Sequence, residues 1–375
     1  MKRFKTALKI PPNQEAGNNS PQAKFPTRLD LANRPTILDV AREAGVSIGT
    51  VSNVLNARAN VSAERTANVE AAMAALGYVP NRLAQSLRGG ESRIIGLCTP
   101  VTSSAYFVAL LETFEDLASE QGYEIMQVLS HGDPEVELRR VRALVGRHVD
   151  GLVLIPTYEP KAALDLVAER GTPTVIVDQV IRDKRFDYVA IDDRKAMREA
   201  AVHVIGVGHR SLLYVVRDMR LAIVQRRIEG FREACNAARP EIAGTVIQRD
   251  PDDELFARQI ADALASRKPP TAIIASNSAV ALATVAILQR MNLRWPRDVS
   301  LLAFDEPVWA DIVRPPLAVV RHPTRELAAQ VWKRLLERLQ SPDRRPKRIT
   351  LDTRLVPRAS LGPPRALRKG RSRES

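Results

Sequence analysis

The sequence has few cysteines and no long hydrophobic run. Cys98 and Cys235 are the only cysteines among 375 residues, too few for a disulfide framework or a cysteine-based zinc site, and they fit a reducing compartment. A helix that crosses a bilayer needs about 20 consecutive apolar residues, and no stretch approaches that length. The basic start of the chain imitates a signal peptide, but Lys9 and Pro11-Pro12 interrupt its short apolar stretch. We therefore expect a soluble, cytoplasmic protein.

The sequence also lacks the motifs of common enzymes. Its five histidines, at positions 131, 148, 203, 209 and 322, show no metal-ligand spacing. It contains neither a glycine-rich phosphate loop nor a nucleophile elbow. We therefore predict that the protein is not an enzyme and that it needs no cofactor and no metal. His209, which precedes a predicted strand, is expected to be a structural loop residue.

Positive charge is concentrated at the two ends of the chain. Residues 1–90 contain 12 Lys and Arg against 6 Asp and Glu, residues 338–375 contain 12 against 3, and the body between them contains 32 against 34. Clustered basic residues suggest a polyanionic partner, because they release counterions from nucleic acid on binding. Charge alone does not separate this interpretation from basic tails that only add solubility.

Three short helices are predicted near the N-terminus, after a polar segment 1–33 that we interpret as a disordered extension. Thr36 and Asp39 have the spacing of a capping box, and apolar residues then recur at helical spacing up to Gly45. Ser47 can cap a second helix, and Ser62 a third that ends at Gly77. Two short helices joined by a tight turn, with a third beside them, form a helix-turn-helix. Periodicity alone also fits an ordinary three-helix bundle.

From residue 93 onward, short apolar runs alternate with amphipathic helical patterns, which indicates parallel sheets covered on both faces. Seven strands are predicted, and they are too many for one small lobe, so we expect two α/β lobes with a cleft. The predicted strands are Ile94–Cys98, Glu124–Val128, Gly151–Ile155, Thr174–Val177, Leu212–Val216, Thr271–Ala275 and Ser300–Phe304. In such sheets ligands bind beyond the carboxyl ends of the strands.

Several of these segments resemble the lac-repressor family of bacterial transcription regulators. The most specific are Thr-Ile-Leu-Asp-Val-Ala-Arg-Glu-Ala-Gly-Val-Ser at 36–47, Gly-Thr-Val-Ser-Asn-Val-Leu-Asn at 49–56 and Leu-Gly-Tyr-Val-Pro-Asn-Arg-Leu-Ala-Gln-Ser-Leu at 76–87. Weaker matches follow at 227–231, 275–277, 299–306 and 314–317. The resemblance implies an all-α helix-turn-helix domain with a hinge helix, then a two-lobed α/β core like that of periplasmic sugar-binding proteins. It also implies a homodimer that binds a palindromic operator in double-stranded DNA.

Five domain segments follow from this resemblance and from the composition. They are a disordered extension at 1–33, the helix-turn-helix domain at 34–79, a hinge helix and linker at 80–91, the effector-binding and dimerisation core at 92–360, and a basic disordered tail at 361–375.

The resemblance places the base-reading positions of the second helix at Ile48, Gly49 and Asn53. Asparagine can bond adenine through two hydrogen bonds, isoleucine can contact a thymine methyl, and glycine has no side chain to read with. Thr50 and Ser52 are expected to contact phosphates, which fix the register of the helix on DNA.

In the hinge, the resemblance assigns DNA contacts to Asn81, Arg82, Ala84 and Leu87. Leu87 matches the leucine that the family wedges between base pairs in the minor groove, where it bends the duplex. A packing leucine in a linker is the alternative.

The effector contacts implied by the resemblance combine carboxylate, guanidinium and amide groups, which suit a polyhydroxylated ligand. They fall on Asp178, Arg227, Asn277 and Asp305, and the aromatic residues Tyr106 and Phe107 are further candidates for the pocket rim. Arg227 could instead pair with Asp178 or with the carboxylate of an acidic ligand. Tyr106 and Phe107 could instead belong to the core. The aromatic platform that the resemblance implies near residues 252–256 is either absent or shifted to Phe256. Trp309 is a candidate to replace it, and a place in a lobe interface is the alternative for Trp309.

We therefore predict a DNA-binding transcriptional regulator of the repressor type, controlled by a small molecule, with a sugar or sugar derivative as the first choice. The alternatives are a cytoplasmic small-molecule binding protein built on the same core, and a non-specific nucleic-acid binder that uses its basic ends.

Overall fold

A computed structural model of the chain describes residues 35–55, 61–79, 91–101, 104–179, 181 and 183–364. Residue contacts divide the chain into two compact units, Met1–Ala84 and Gln85–Ser375. The predicted extension at 1–33, the hinge segment at 80–90 and the tail from 365 onward lie outside the described residues. Within the described residues, no helix is long and apolar enough to cross a membrane.

The first unit contains the three predicted helices, α1 (Ile37–Glu43), α2 (Ile48–Leu55) and α3 (Ala63–Leu76). The predicted caps are present. Thr36 and Asp39 form the capping box of α1, and the backbone N–H of Thr50 donates to Ser47 Oγ at 3.1 Å. These bonds satisfy backbone groups that a helix end leaves without partners.

One small core joins the three helices. Val40, Val51 and Val69 are its fully buried centre, with one valine from each helix. These residues are on the apolar faces that the sequence predicts. After α1 the chain turns through Gly45, whose φ of +64° lies in the left-handed region that glycine adopts without strain. The helix-turn-helix is therefore confirmed as a structure.

The second unit contains two six-stranded sheets. Its helices are α4 (Ala105–Glu120), α5 (Pro134–Val145), α6 (Lys161–Glu169), α7 (Asp193–Gly206), α8 (Ala222–Ala237), α9 (Asp253–Ala265), α10 (Ser278–Arg290) and α11 (Thr324–Gln340). Its strands are β1 (Ile94–Thr99), β2 (Glu124–Leu129), β3 (Gly151–Leu154), β4 (Thr174–Val177), β5 (Asp187–Ile191), β6 (Ser211–Val216), β7 (Ala243–Gln248), β8 (Ala272–Ala275), β9 (Ser300–Phe304), β10 (Ala318–Arg321), β11 (Arg348–Leu351) and β12 (Arg354–Val356).

The two sheets define the two lobes. The strand order is β11-β5-β4-β3-β1-β2 in the first lobe and β12-β10-β9-β8-β6-β7 in the second, and only the β10–β12 pairing is antiparallel. Each sheet is buried on both faces. In β3, for example, the neighbours Leu152 and Val153 enter two different hydrophobic clusters, because successive strand residues point to opposite faces. The predicted two-lobed α/β architecture is confirmed.

All seven predicted strands are present, and the described residues contain five further strands that were not predicted. The strands β5, β7, β10, β11 and β12 are short or carry polar and charged residues, as in Asp-Tyr-Val-Ala-Ile for β5. Edge strands such as β7 and β11 are covered on fewer sides, so they need no continuous apolar run. The apolar-run criterion therefore misses strands that carry polar or charged residues, both at the edge of a sheet, as in β7 and β11, and in its interior, as in β5.

The charged residue in β5 is compensated inside the protein. Asp187 is fully buried, and its carboxylate accepts hydrogen bonds from Arg334 Nη2 at 2.5 Å, Arg338 Nη2 at 2.6 Å and the backbone N–H of Lys347 at 2.9 Å. A buried carboxylate needs such partners. The cluster fixes α11 and the approach to β11 against the first lobe.

The helices α7 and α8 pack unusually closely. A Cβ atom added to Gly230 of α8 would lie 2.1 Å from the carbonyl oxygen of Arg194 in α7. Only glycine permits this approach, which brings the start of α7 against the middle of α8.

Candidate functional site

The helix α2 presents the five residues predicted to contact DNA. Ile48 and Gly49 are exposed, and Thr50, Ser52 and Asn53 are half-buried. The hydroxyls of Ser47 and Thr50 are 3.0 Å apart, so Thr50 is already oriented at the start of the helix. The four hinge residues Asn81, Arg82, Ala84 and Leu87 lie outside the described residues, and their predicted role stays a prediction.

The six predicted effector residues line one cleft in the second unit. The cleft has a volume of about 300 Å³. Tyr106, Phe107 and Asp178 come from the first lobe, and Arg227, Asn277 and Asp305 come from the second. These positions are far apart in sequence, and the two sheets bring them together at the carboxyl ends of their strands. The structure therefore places the candidate residues in one site, while their contact with an effector stays a prediction.

Asp178 and Asp305 occupy equivalent places in the two lobes. Each directly follows a central strand, and the backbone N–H of each donates to the neighbouring strand at 3.1 Å, to Val189 O for Asp178 and to Val320 O for Asp305. Their φ angles are +65° and +69°. Non-glycine residues adopt this left-handed conformation infrequently, and it recurs at binding and active sites. Both carboxylates are thereby held at the end of their sheet, on the cleft.

The environments of these two carboxylates differ. Burial raises the pKa of Asp178 to about 6, although His322 and a hydrogen bond from Tyr106 Oη at 2.7 Å oppose that shift. Burial also acts to raise the pKa of Asp305, but His322, whose Nε2 lies 2.9 Å from Asp305 Oδ1, and Arg227 outweigh it, so the net pKa is lowered. One acidic group of the cleft thus titrates near neutral pH while the other stays ionised.

Arg227 is bound within the protein. Its Nε donates to Asp193 Oδ1 at 2.7 Å and its Nη1 to the carbonyl of Ser276 at 3.0 Å. The guanidinium carbon also lies 3.7 Å from the centroid of the Phe304 ring. The partner of Arg227 is therefore Asp193, and the alternative pairing with Asp178 is wrong.

The alternative roles of the aromatic candidates are partly resolved. Tyr106 is buried and lines the cleft through its bond to Asp178, whereas Phe107 is only partly buried. Phe256 is fully buried in the core of the second lobe, and Trp309 packs against the same core. Neither lines the cleft, so the predicted aromatic platform at Phe256 or Trp309 is wrong.

Several polar residues that line the cleft, or that bond to a residue lining it, were not singled out from the sequence or were given no role. Asp193 follows β5 and His322 follows β10, two strands that the apolar-run criterion missed. Ser276 directly follows β8, and Arg217 follows β6. Their position just after a strand was the signal that could have identified them. His209, by contrast, is buried against Thr271 and the carbonyl of Gly362, as expected of a structural residue.

In the described part of the chain, no group of three or more His, Cys, Asp or Glu side chains could hold a metal ion. The cleft is a site of hydrogen-bond donors and acceptors, lined by three carboxylates, two side-chain amides, five hydroxyls, one imidazole and three guanidinium groups.

Two family models match the chain. Residues 36–81 match the model described as bacterial regulatory proteins, lacI family, and residues 201–361 match the periplasmic binding protein-like domain. The chain belongs to the lacI family of bacterial regulatory proteins. The first match covers the three helices, and the second covers most of the second lobe and the cleft residues Arg227, Asn277 and Asp305.

Curated relatives of this lacI-family chain are transcriptional regulators. The HTH-type transcriptional regulator DegA of Bacillus subtilis is 29% identical over 333 residues, which cover 88% of this chain and 99% of DegA. The ribose operon repressor of Escherichia coli is 28% identical, covering 87% of this chain and 99% of the repressor. The lacI-family chain is therefore a helix-turn-helix transcriptional regulator.

Solved structures agree with this family membership. A lac repressor dimer bound to operator and the anti-inducer ONPF has a TM-score of 0.77 and 25% identity, covering 88% of this chain and all of that chain. A complex of the transcriptional regulator CelR with cellobiose has a TM-score of 0.65 and 26% identity, covering 87% of this chain and all of that one.

Proposed function

We propose that this chain is a homodimeric repressor that binds a palindromic operator and releases or holds it in response to a small polyhydroxylated effector in the cleft. The observation that carries the proposal is that six polar and aromatic side chains from two lobes line one cleft, in a chain that also contains a capped helix-turn-helix.

The chemistry of the cleft supports a sugar or sugar derivative as effector. Carboxylates accept hydrogen bonds from hydroxyl groups, and the amide of Asn277 both donates and accepts. The Asn277 Oδ1 is already used, because it accepts from the backbone N–H of Val280 at 2.9 Å. Its NH₂ group is the part available to a ligand oxygen. Two similar proteins, the ribose operon repressor and CelR in complex with cellobiose, are named with sugars, which belong to this class of ligand.

The DNA-binding surface of α2 would read a limited number of bases. Asn53 can bond adenine and Ile48 can contact a thymine methyl, while Gly49 leaves room for the backbone to approach DNA. Thr50 and Ser52 would bond phosphates and set the register. The hinge residues Asn81, Arg82, Ala84 and Leu87 complete the proposed contacts in the minor groove.

Effector control would operate through the arrangement of the two lobes. An effector that contacts Asp178 in one lobe and Asp305 in the other binds best when both carboxylates face it, so it favours one lobe arrangement. If the operator complex favours the opposite lobe arrangement, the effector weakens operator binding, and the operator weakens effector binding by the same factor. The proposal assigns the chain a regulatory role in the cytoplasm and no catalytic one.

The test is selection of genomic fragments by the purified full-length protein at near-physiological salt. The expected result is a pseudo-palindrome of two half-sites, since a dimer presents two copies of α2. Enrichment without a shared sequence would contradict sequence-specific binding. Repeating the selection with small-molecule cell extract separates that outcome from a protein that binds only with a co-repressor.

A further inference from the structure

We propose that the effector is an anion, a small polyhydroxylated compound with a carboxylate or phosphate group that binds Arg217 and the first turns of α4 and α8. This inference rests on the proposed function and specifies the class of effector that the cleft binds.

Three guanidinium groups line the cleft, and two of them already have partners. Arg227 is held by Asp193 and the carbonyl of Ser276. Arg220 bonds both carboxylate oxygens of Asp218, with Nη2 2.7 Å from Oδ2, and lies over the ring of Tyr158. Arg217 is exposed and makes no hydrogen bond or ion pair with any residue that the structure describes. Of the three arginines that line the cleft, it is therefore the one that remains available to a ligand.

Two helices begin at the cleft without a side-chain cap from the described residues. The first turn of α4 contributes Tyr106 and Phe107 to the lining, and the first turn of α8 contributes Ile223 and Val224. Neither first turn contains an acidic residue. The N–H groups of a first helical turn have no partner within the helix and favour a negative charge.

The third helix that begins at the cleft is already capped by the protein. At the start of α10, Asn277 caps the N–H of Val280, and the backbone of Ser278 bonds Asp305. Because α10 is capped and the other two helices are not, the first-turn N–H groups of α4 and α8, one helix from each lobe, are the ones that an anion could bind.

A buried hydroxyl in the same cleft lacks a partner. Ser276 is 2% exposed, and its Oγ has no hydrogen-bond partner among the described residues. A buried hydroxyl without a partner is destabilising, so this group points to a ligand oxygen. The carbonyl of the same residue bonds Arg227, which fixes Ser276 at the inner wall of the cleft.

We assign two roles to the groups that line the cleft. Asp178, Asp305 and the NH₂ of Asn277 suit the hydroxyl groups of a ligand. Arg217, with the starts of α4 and α8, suits its anionic group, because guanidinium bonds carboxylate and phosphate through two parallel hydrogen bonds.

The experiment measures binding to the full-length protein without DNA, by calorimetry and thermal unfolding at constant ionic strength. The probes are two matched sets, D-glucose with D-gluconate and a glucose phosphate monoester, and D-ribose with D-ribonate and a ribose phosphate monoester. Inorganic phosphate is added as the simplest anion. The carboxylate and phosphate members show which of the two groups the site prefers.

We expect at least one anionic probe to bind at least about tenfold more tightly than its neutral parent, as a charge-assisted bond would produce. Arg217→Gln should abolish that preference and leave the affinity for the neutral parent unchanged. The matched control is Arg198→Gln, which removes the same charge from an exposed position outside the cleft and should preserve the preference.

Three results would overturn the inference. Neutral sugars could bind as tightly as their anions, the preference could survive Arg217→Gln, or no anion, inorganic phosphate included, could give a stabilisation that depends on Arg217. The operator selection is independent of these outcomes. A protein that selects a palindrome but shows no Arg217-dependent anion binding refutes only this inference, whereas one that binds the anion but selects no operator refutes the regulatory function.

Discussion

The side chain of Arg227 in α8 is bound to the carboxylate of Asp193 at the start of α7, with Nε 2.7 Å from Oδ1 and both side chains buried. This ion pair lies beside the effector cleft and joins the helix that lines it to the segment where the chain enters the second lobe. A buried pair of this kind contributes little net stability as a pair, but either charge alone is costly.

We expect Arg227→Ala to lower the free energy of unfolding by about 3–5 kcal/mol, because it leaves Asp193 buried without its main partner. The double variant Arg227→Met, Asp193→Leu should lose less than Arg227→Ala alone, since no uncompensated charge remains. Urea unfolding of the full-length proteins measures both. A double variant whose loss equals the sum of the losses of the single variants Arg227→Met and Asp193→Leu would show that the charges act independently.

The contact between Gly230 and the Arg194 carbonyl predicts an intolerance to any side chain. Gly230→Ala places a Cβ 2.1 Å from a backbone oxygen, and we expect a loss of at least about 3 kcal/mol, the upper range for overpacking. The control is Gly206→Ala at the end of α7, where nothing lies within 4 Å of the added Cβ. That change should stabilise by about 0.5 kcal/mol. Equal unfolding midpoints for the two variants would contradict the close packing of α7 and α8.

Glu137 in α5 gives the stability of the first lobe a pH dependence. Its carboxylate accepts hydrogen bonds from the backbone N–H of Thr157 at 2.7 Å and from the Thr157 hydroxyl at 3.1 Å. Burial raises the pKa of Glu137 to about 7, and these two bonds oppose the shift. Because the folded pKa is raised, the stabilisation is fully present below the unfolded pKa of about 4.5 and is lost as the pH rises through 7.

Glu137→Gln should remove this loss. Between pH 5.5 and 8 the wild-type free energy of unfolding should fall by about 2 kcal/mol through this group, and the variant should lack that component. Chemical denaturation at both pH values measures the difference. An identical pH dependence in both proteins would mean that Glu137 does not titrate in this range.

Leu87→Ala tests the proposed hinge contact. A leucine inserted between base pairs contributes through the bent DNA that it permits, so we expect operator affinity to fall at least about tenfold. Effector binding should be unchanged, because the role proposed for Leu87 is a contact with DNA. Gel-shift titration with the selected operator measures the first effect and calorimetry the second. Equal operator affinity of the variant and the parent protein would refute the contact.

Deletion of residues 365–375 tests the basic tail. This segment contains five Lys and Arg and one Glu, and its charges should attract DNA without regard to sequence. The tail was predicted to begin at residue 361, but the deletion begins at 365 so that it spares Gly362. The Gly362 carbonyl accepts hydrogen bonds from His209 and Ser300 in the second lobe. The plot of log affinity against log salt should become shallower on deletion. An unchanged slope would show that the tail does not contact DNA.

The helix-turn-helix was predictable nearly residue by residue because its signals are local. Caps at Thr36, Ser47 and Ser62 and a single apolar face for each helix determine its form, and no distant residue is needed. The strands β1, β3, β4, β6, β8 and β9 were equally clear as continuous apolar runs. The edge strands β7 and β11 were not, because partial cover lets them carry polar residues, and the interior strands β5 and β10 were not, because they are short and begin or end with a charged residue.

The chemistry of the cleft was less predictable, since it depends on pairings between distant residues. The family resemblance led to Asp178, Arg227 and Asp305 as separate positions. Nothing local to Arg227 showed that Asp193 would bind it, and nothing local to Phe256 showed that its side chain would be buried in the core of the second lobe. The tertiary structure, and not the local sequence, therefore determines which charged groups of the cleft have partners within the protein.

The pairing of β11 with β5 has a consequence for biosynthesis. The first lobe contains the strands that are translated first, but β11 (Arg348–Leu351) completes its sheet only after the strands β6 to β10 of the second lobe have been synthesised. Until then β5 has an unpaired edge in the nascent chain, and until α11 has been synthesised the buried Asp187 also lacks its two arginines. An unpaired strand edge is a site for pairing with other chains. Truncated translation products that end before residue 348 should therefore aggregate or recruit chaperones at the ribosome, although they contain five of the six strands of that lobe.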